Sequence, residues 1–490
     1  MPDHDRAPAH PGAEDDFGPA GLSVTSGDTG QDDTPTPTAA RRGTAKVAAG
    51  EAPCPTGAAA ALSIAPAPTS AAPAPTSAAL ARLARAPRYF SAAIARHPAP
   101  LWLLIAMSCV QPVSLNMYLP AMVAMQVDLG TTQAAISASL SAYLIATAVA
   151  TLVVGALSDM LGRRPVLVAG LSLYTVGSAI CAAAPTVEVL IGGRLLQAVG
   201  GCAGLALSRA IVRDLHSARS AASALAYVTM GMAVAPMIAP SVGGVLSEAM
   251  GWRSIFVLMT AVGAAVTTAT VLRLGETHPP SGGAGGFARM RREAMELFGV
   301  RTFWLYVATL SFISTSFFAF VAGSSFVSES VLHLTPSVYG LYFICVAAGY
   351  ICGNFITGRF VEKIGIVMMI RCGTVLTLSG IMIAIFAELM GVVHPVTFFG
   401  PIALVGMGNG FTLPNSIAGA VSVRPHLAGT ASGLAGSIQM GAGAIVAILV
   451  GTLCDIDPWP GTLWPVLIPM MVGAAIAVAF SMTLRRGAVT

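Results

Sequence analysis

From Leu101 onward, stretches of about 20 mostly uncharged residues recur along the chain, each long enough to cross a hydrocarbon layer roughly 30 Å thick. A soluble core does not need that length so many times, so the chain reads as an integral membrane protein. Composition agrees: only 10% of residues are charged, against about a quarter in soluble domains, and the mean hydropathy is +0.76. Twelve spans are expected, with cores at 101–122, 134–157, 166–184, 187–210, 221–247, 254–273, 302–327, 337–358, 366–389, 396–421, 427–452 and 462–484. The fold class is therefore all-α, twelve transmembrane helices preceded by a tail. The longest polar break, RLGETHPPSGGAGGFARMRREAMELFGVR, divides the array six and six. It sets an N-terminal half at 99–274, a cytoplasmic central loop at 275–300 and a C-terminal half at 301–486.

Residues 1–80 differ from the rest. Stretches such as APAPTSAAPAPTSAAL are rich in Pro, Ala, Ser and Thr and have no apolar period. Such a composition cannot bury enough surface to offset chain entropy, so a disordered cytoplasmic tail is expected. It lacks the apolar segment of a signal peptide, and Asp3, Asp5, Glu14, Asp15 and Asp16 argue against a transit peptide. Residues 81–98 are basic and mildly amphipathic, suited to the membrane surface.

Orientation follows from arginine and lysine in the connections. One side carries Arg163 and Arg164, Arg213 and Arg219, Arg289, Arg291 and Arg292, Arg359 and Lys363, and Arg424. The other offers little beyond Arg253 and carries Glu248, Glu329, Asp455 and Asp457. The positive-inside rule puts the first set, and with an even span count both termini, in the cytoplasm. A bacterial inner membrane is the expected location.

The connection after the second span is GALSDMLGRRPVLVAG. Charges there are cheap, so a plain topology-setting turn is one reading. The spacing says more. Gly155, Asp159, Gly162, Arg163 and Arg164 form G-x-x-x-D-x-x-G-R-R, in which Gly155 permits close approach of a helix and Gly162 a sharp turn. This resembles the signature turn of the major facilitator superfamily. GNFITGRFVEKIG after the eighth span resembles a decayed second copy, through Gly358, Arg359, Lys363 and Gly365. Further segments narrow the resemblance. GMAVAPMIAPSVGG in the fifth span, with Gly231, Pro236, Pro240, Gly243 and Gly244, is similar to the motif of the drug/proton antiporters, with Ala235 where a glycine is usual. With NMYLPAM, GGRLLQAVGGCAG, SRAIVRDL and HLAGTASGLAGSIQMGAGAIV, the chain resembles the Bcr/CflA-type drug-resistance exporters from Leu101 to Arg486.

That resemblance implies roles. Asp159 would face the start of the eleventh span near Leu427 and Ala428, where free N–H groups and the helix dipole stabilise a carboxylate. Arg163 would pair with Asp214. Together they would latch the cytoplasmic side in the outward-open state. The fifth span would be a kinked, close-packed helix sealing the two halves, or a helix whose Gly and Pro serve packing alone.

Arg194 is the clearly intramembrane charge, about seven residues and so roughly 10 Å from the outer end of its span. Function is the default for such a residue, and outward snorkelling the alternative. Asn116 can meet it at the same depth, and Gln197 lies one turn deeper on the same face. The resemblance implies an Asp where Asn116 stands, in a DMYLP version of NMYLP. Asp can bind and release a proton and neutralise Arg194, whereas Asn can do neither. The resemblance implies a proton gradient as the energy source, with Asp159 or Asp214 as substitute carriers or with altered coupling. Cavity candidates are Asn116, Tyr143, Arg194, Gln197, Met230, Phe312, Asn409 and Gln439.

Other chemistry is not visible. The cysteines are scattered without C-x-x-C, no histidine lies deep in a span, and no Walker motif points to ATP. No catalytic residue, metal or cofactor is expected, and nothing calls for nucleic acid. The expected partners are a small-molecule substrate and the lipid bilayer, with a monomer as the working state. Three functions fit: an exporter of lipophilic drugs or a related metabolite; a uniporter or importer of a neutral or anionic solute; and a non-transporting sensor on the same scaffold.

Overall fold

The computed structural model describes residues 99–215, 218–278, 286–455 and 462–484. The tail expected over 1–80 and the basic segment over 81–98 lie outside the described residues. Within them there is no strand. The first half comprises α1 (Leu101–Asn116), α2 (Met122–Asp128), α3 (Gln133–Leu161), α4 (Arg163–Ala182), α5 (Val187–Leu215), α6 (Ala218–Met250) and α7 (Arg253–Arg273). The central connection carries α8 (Gly286–Phe298). The second half comprises α9 (Arg301–Ser330), α10 (Pro336–Ile364), α11 (Ile366–Leu389), α12 (Pro395–Ser422), α13 (Ala428–Asp455) and α14 (Trp464–Thr483). With α1 and α2 counted as one span, twelve segments are long and apolar enough to cross a membrane, six in each half.

The first span ends later than its apolar run. Expected to stop at 122, it continues to Asp128 after a break at Met117–Ala121, where a short 3-10 turn contains Pro120. Proline has no N–H and disfavours helix in the residue before it, so the helix yields just ahead of Pro120. Met117 N still donates to Val113 O at 2.9 Å. The next carbonyl, Ser114 O, is left for a side chain.

The two related turns are built alike. Gly162 (φ 99°) ends α3 and Gly365 (φ 86°) ends α10, both in the left-handed region that a side chain rarely adopts. A β-carbon on Gly162 would also lie 2.6 Å from the Glu276 carboxylate.

The bundle has a basic end, carrying Arg163, Arg164, Arg213 and α8, and an acidic end, carrying Glu248 and Asp455. Toward the acidic end one apolar core joins the halves, with Tyr118 and Phe256 from the first and Phe320, Phe343 and Phe398 from the second. At the basic end the second half has its own separate cluster, formed by Phe303, Tyr306, Leu427 and Ala431 together with Leu297 of α8.

Candidate functional site

Arg194 on α5 is fully buried. Its guanidinium lies between two aromatic rings, with Cζ 4.2 Å from the centroids of both Tyr118 and Tyr143. Nη1 donates to Ser114 O at 3.0 Å, the carbonyl released by the break in the first span, and to Gln197 Oε1 at 2.6 Å. Gln197 is held in turn, its Nε2 donating to Ser178 Oγ at 2.8 Å. Tyr143 donates its hydroxyl to Gln111 O at 3.2 Å, and Ser114 Oγ shares a 2.7 Å hydrogen bond with the Tyr174 hydroxyl. No carboxylate among the described residues reaches this cage, and Nε and Nη2 of Arg194 have no protein partner. Two desolvated cation–π contacts, each worth about 2 kcal/mol, offset part of the several kcal/mol that a buried cation costs.

Asn116 is buried beside this network but does not bond Arg194. Its Nδ2 donates to Pro112 O at 2.8 Å and its Oδ1 is unpartnered. The expected Asn116–Arg194 meeting is replaced by Ser114 O, because the helix break frees that backbone acceptor two residues earlier. Tyr118 and Ser114 escaped the sequence reading. Tyr118 stands within NMYLP, so an arginine at matching depth was a signal for it. Ser114 acts through its backbone and left no side-chain signal.

The other cavity candidates lie elsewhere. Gln439 on α13 donates to Ser314 Oγ on α9 at 2.8 Å, within the second half. Asn409 on α12 is buried with both amide atoms unpartnered. Met230 is 57% exposed, on an apolar stripe of α6 with Tyr227, Val234 and Ile238. Phe312 stacks on Phe480 of α14 at 5.8 Å, so it packs the second half rather than facing the first.

The antiporter-like helix α6 fills the seam between halves. A β-carbon on Gly231 would meet Ile105 of α1 at 2.6 Å, and one on Gly243 would run into the Met117 carbonyl. Gly244 lies against the Pro336 backbone of α10, and Gly340 of α10 lies against the Pro240 carbonyl. Ser241 Oγ donates to Gly340 O at 2.9 Å. Pro236 and Pro240 both lie inside this helix, where packing of this density supports the lost hydrogen bonds.

At the basic end Arg163 Nε meets Asp214 Oδ2 at 3.2 Å, and its Nη1 meets Asp159 Oδ1 at 2.6 Å. The Asp159–Arg163 pair lies within one turn motif, not across the halves. Glu276, which the sequence reading passed over, accepts from Arg163 N at 2.9 Å and Arg164 N at 3.2 Å, capping α4 as a carboxylate at a helix N-terminus does. Arg164 Nη2 donates to Val271 O at 2.9 Å. The start of α13, the expected berth of Asp159, is engaged by α8: Thr430 Oγ1 donates to the Glu293 carboxylate, and His426 and Arg424 approach Glu296 at 3.2 and 3.8 Å. A β-carbon on Gly155 would have nothing within 4 Å, so the glycine expected to admit a partner helix faces open space.

The arrangement is a two-half bundle, packed at one end and separate at the other, with a charged cage in the interior. The sequence matches the Major Facilitator Superfamily over residues 103–448, and again over 329–488. It is 28% identical over 352 residues to multidrug resistance protein D of Escherichia coli (strain K12), covering 71% of this chain and 87% of that one. It is 29% identical over 386 residues to a chloramphenicol resistance protein of Pseudomonas aeruginosa, covering 78% and 90%. The crystal structure of a D-xylose-proton symporter superimposes with a TM-score of 0.62 at 13% identity, covering 78% of this chain and 97% of that chain, a likeness of fold alone. The chain belongs to the Major Facilitator Superfamily and is a multi-pass membrane transporter of twelve helices.

Proposed function

We propose that this transporter exports lipophilic drugs or a related metabolite across the bacterial inner membrane, by alternating access and proton antiport. It works as a monomer with both termini in the cytoplasm. The observation that carries the reading is the contrast between a seam packed backbone to backbone along α6 and α10 and a basic end without such packing, with the Arg194 cage between them. That is the geometry of one access state. The relatives named for multidrug and chloramphenicol resistance support the drug reading. The basic end, assigned to the cytoplasm by the positive-inside rule, would be the open one. Asp159, Arg163 and Asp214 would regroup across the halves when it closes.

Proton antiport requires a titratable carrier. Arg194 has only neutral acceptors, and Asn116 offers no titratable group. That observation favours a second reading, a uniporter or importer of a neutral or anionic solute with altered coupling. Uptake into proteoliposomes under imposed pH gradients separates the two. On the export reading, wild-type flux follows the gradient, with Asp159 or Asp214 as carrier, and Asn116→Asp steepens the dependence. Flux indifferent to the gradient, in wild type and in Asp159→Asn and Asp214→Asn alike, overturns antiport and leaves the second reading. Arg194→Ala is expected to lower transport at least tenfold while insertion stays intact, since a buried charge is lost. Full transport by that variant would remove the cage from the mechanism.

A further inference from the structure

The sign of the charge inside this bundle points to its substrates. Every carboxylate on a described span lies within three residues of a helix end: Asp128, Asp159, Glu188, Asp214, Glu248, Glu329, Glu362, Glu388 and Asp455. Cations go deeper. Arg371, on α11, is spent on the C-terminal carbonyls of α14, donating to Ser481 O at 3.2 Å and Leu484 O at 2.6 Å. Helix α5 is different. It carries Arg194 in the cage and, 15 residues or about 22 Å further along, Arg209. Arg209 Nη2 touches Met232 Sδ of α6, the helix that fills the seam between the halves, at 3.3 Å. It therefore lies against the seam helix α6, exposed toward the basic end. Its ionised neighbour is Arg213, a like charge one turn away. Among the described residues neither Arg209 nor Arg213 forms an ion pair.

We infer that the space between the halves accepts uncharged or anionic lipophilic molecules and rejects organic cations, with Arg209 as a specificity-determining residue at its mouth. This rests on the transport of lipophilic compounds proposed above. Low-dielectric walls leave a charge poorly screened, so uncompensated guanidiniums along one helix raise the potential through the whole passage. A cation entering from the basic end passes Asp159 and Asp214, both engaged by Arg163 at the rim, and then meets Arg209, with no carboxylate deeper on a described span and with Arg194 behind the Tyr118 and Tyr143 rings. An anion meets the Arg209 guanidinium, which has no ion pair among the described residues, and is favoured by the positive charge of Arg194 behind the rings. A neutral molecule pays no charge penalty in either direction.

Tetraphenylphosphonium and tetraphenylborate share a shape and differ in sign, which isolates the charge term. The experiment is displacement of labelled chloramphenicol from the purified full-length protein by each ion, with the shift each causes in unfolding temperature read in parallel. Tetraphenylborate is expected to displace at a concentration at least tenfold lower than tetraphenylphosphonium. Arg209→Gln is expected to narrow that ratio severalfold, Arg209→Glu to reverse it, and Arg209→Lys to keep it. Equal displacement by the two ions overturns the inference and leaves drug export standing, as does a ratio unmoved by Arg209→Glu in a variant that elutes as wild type. If wild type binds no chloramphenicol, the drug reading loses support. The unfolding shifts then decide the charge preference by themselves: a larger shift with the anion upholds it, and an equal or smaller one overturns it.

Discussion

The acidic and basic ends of helices α3 and α13 are built from the same small residues and behave oppositely. Near the acidic end a β-carbon on Gly451 would lie 2.5 Å from Ser137 Cβ, and the Asp455 carboxylate accepts from Gln133 N at 3.2 Å and Ala134 N at 2.8 Å. Midway, Ser437 Oγ donates to Ala148 O at 2.7 Å. Toward the basic end, Gly155 on α3 and Gly429, Gly433 and Gly436 on α13 have nothing within 4 Å of where a β-carbon would stand. The pair α6 and α10 repeats the pattern. Glu248 accepts from Ser337 N at 2.9 Å at the acidic end, while Gly358 at the basic end faces open space. Two carboxylates thus cap two helix N-termini across the halves at the acidic end. At the basic end the corresponding cap, Glu276 on α4, stays within one half. A face of small residues is a capacity for close packing, and in this molecule only one end uses it.

The comparison can be broken most forcefully at the packed seam. Gly244→Leu would drive a side chain into the Pro336 backbone of α10, at an overpacking cost of about 1–3 kcal/mol. Transport is expected to fall at least tenfold, with a lower unfolding temperature. A Gly244→Leu protein with normal flux would show that the seam does not need close packing.

Cross-linking gives the next largest contrast. Cysteines at Ser137 and Gly451 are expected to join readily in the resting protein, and cysteines at Gly155 and Gly433 only after the transporter is trapped with its acidic end open. Equal yields for both pairs would mean that the two ends do not alternate.

Removing the crossing caps is a smaller perturbation. Asp455→Asn and Glu248→Gln each remove a charge from a helix N-terminus, worth about 0.3–1 kcal/mol. Each is expected to raise the cross-linking yield at the basic end about twofold to fivefold, and the double variant by roughly the product, since the two caps are independent.

The smallest effect is expected at α8. Glu293→Gln weakens a charge-assisted contact to Thr430 and frees the start of α13, favouring closure of the basic end by about 1 kcal/mol or less. Asp159→Asn should act in the opposite direction, because Asp159 is the carboxylate proposed to take that place. If both variants shift cross-linking the same way, the two carboxylates do not compete for α13.

How much of this could be read in the sequence depends on the range of the interaction. The twelve spans, their division and the depth of Arg194 follow from local length and hydropathy, since each helix satisfies its own backbone and must match the same layer. The end of the first span was misjudged because Pro120 breaks the helix without ending its passage, and that break also supplies Ser114 O to Arg194. The glycines of α6 were visible, but not that Gly243 meets Met117 in the break of the first span and Gly244 meets α10.

The sequence alone determined that this chain spans a membrane in two related halves, that one end is basic, and that a cation lies in its interior without an evident acid. Those properties reside in single segments and their order. The tertiary structure decided which partners meet. The Tyr118 and Tyr143 rings close on Arg194, Asp455 reaches a helix start 321 residues away, and Glu293 rather than Asp159 bonds Thr430. The first choice is made by packing within the first half, whereas the Asp455 contact depends on how the two halves stand relative to one another. Small residues line both ends of these helices, and in this structure packing engages them at the acidic end.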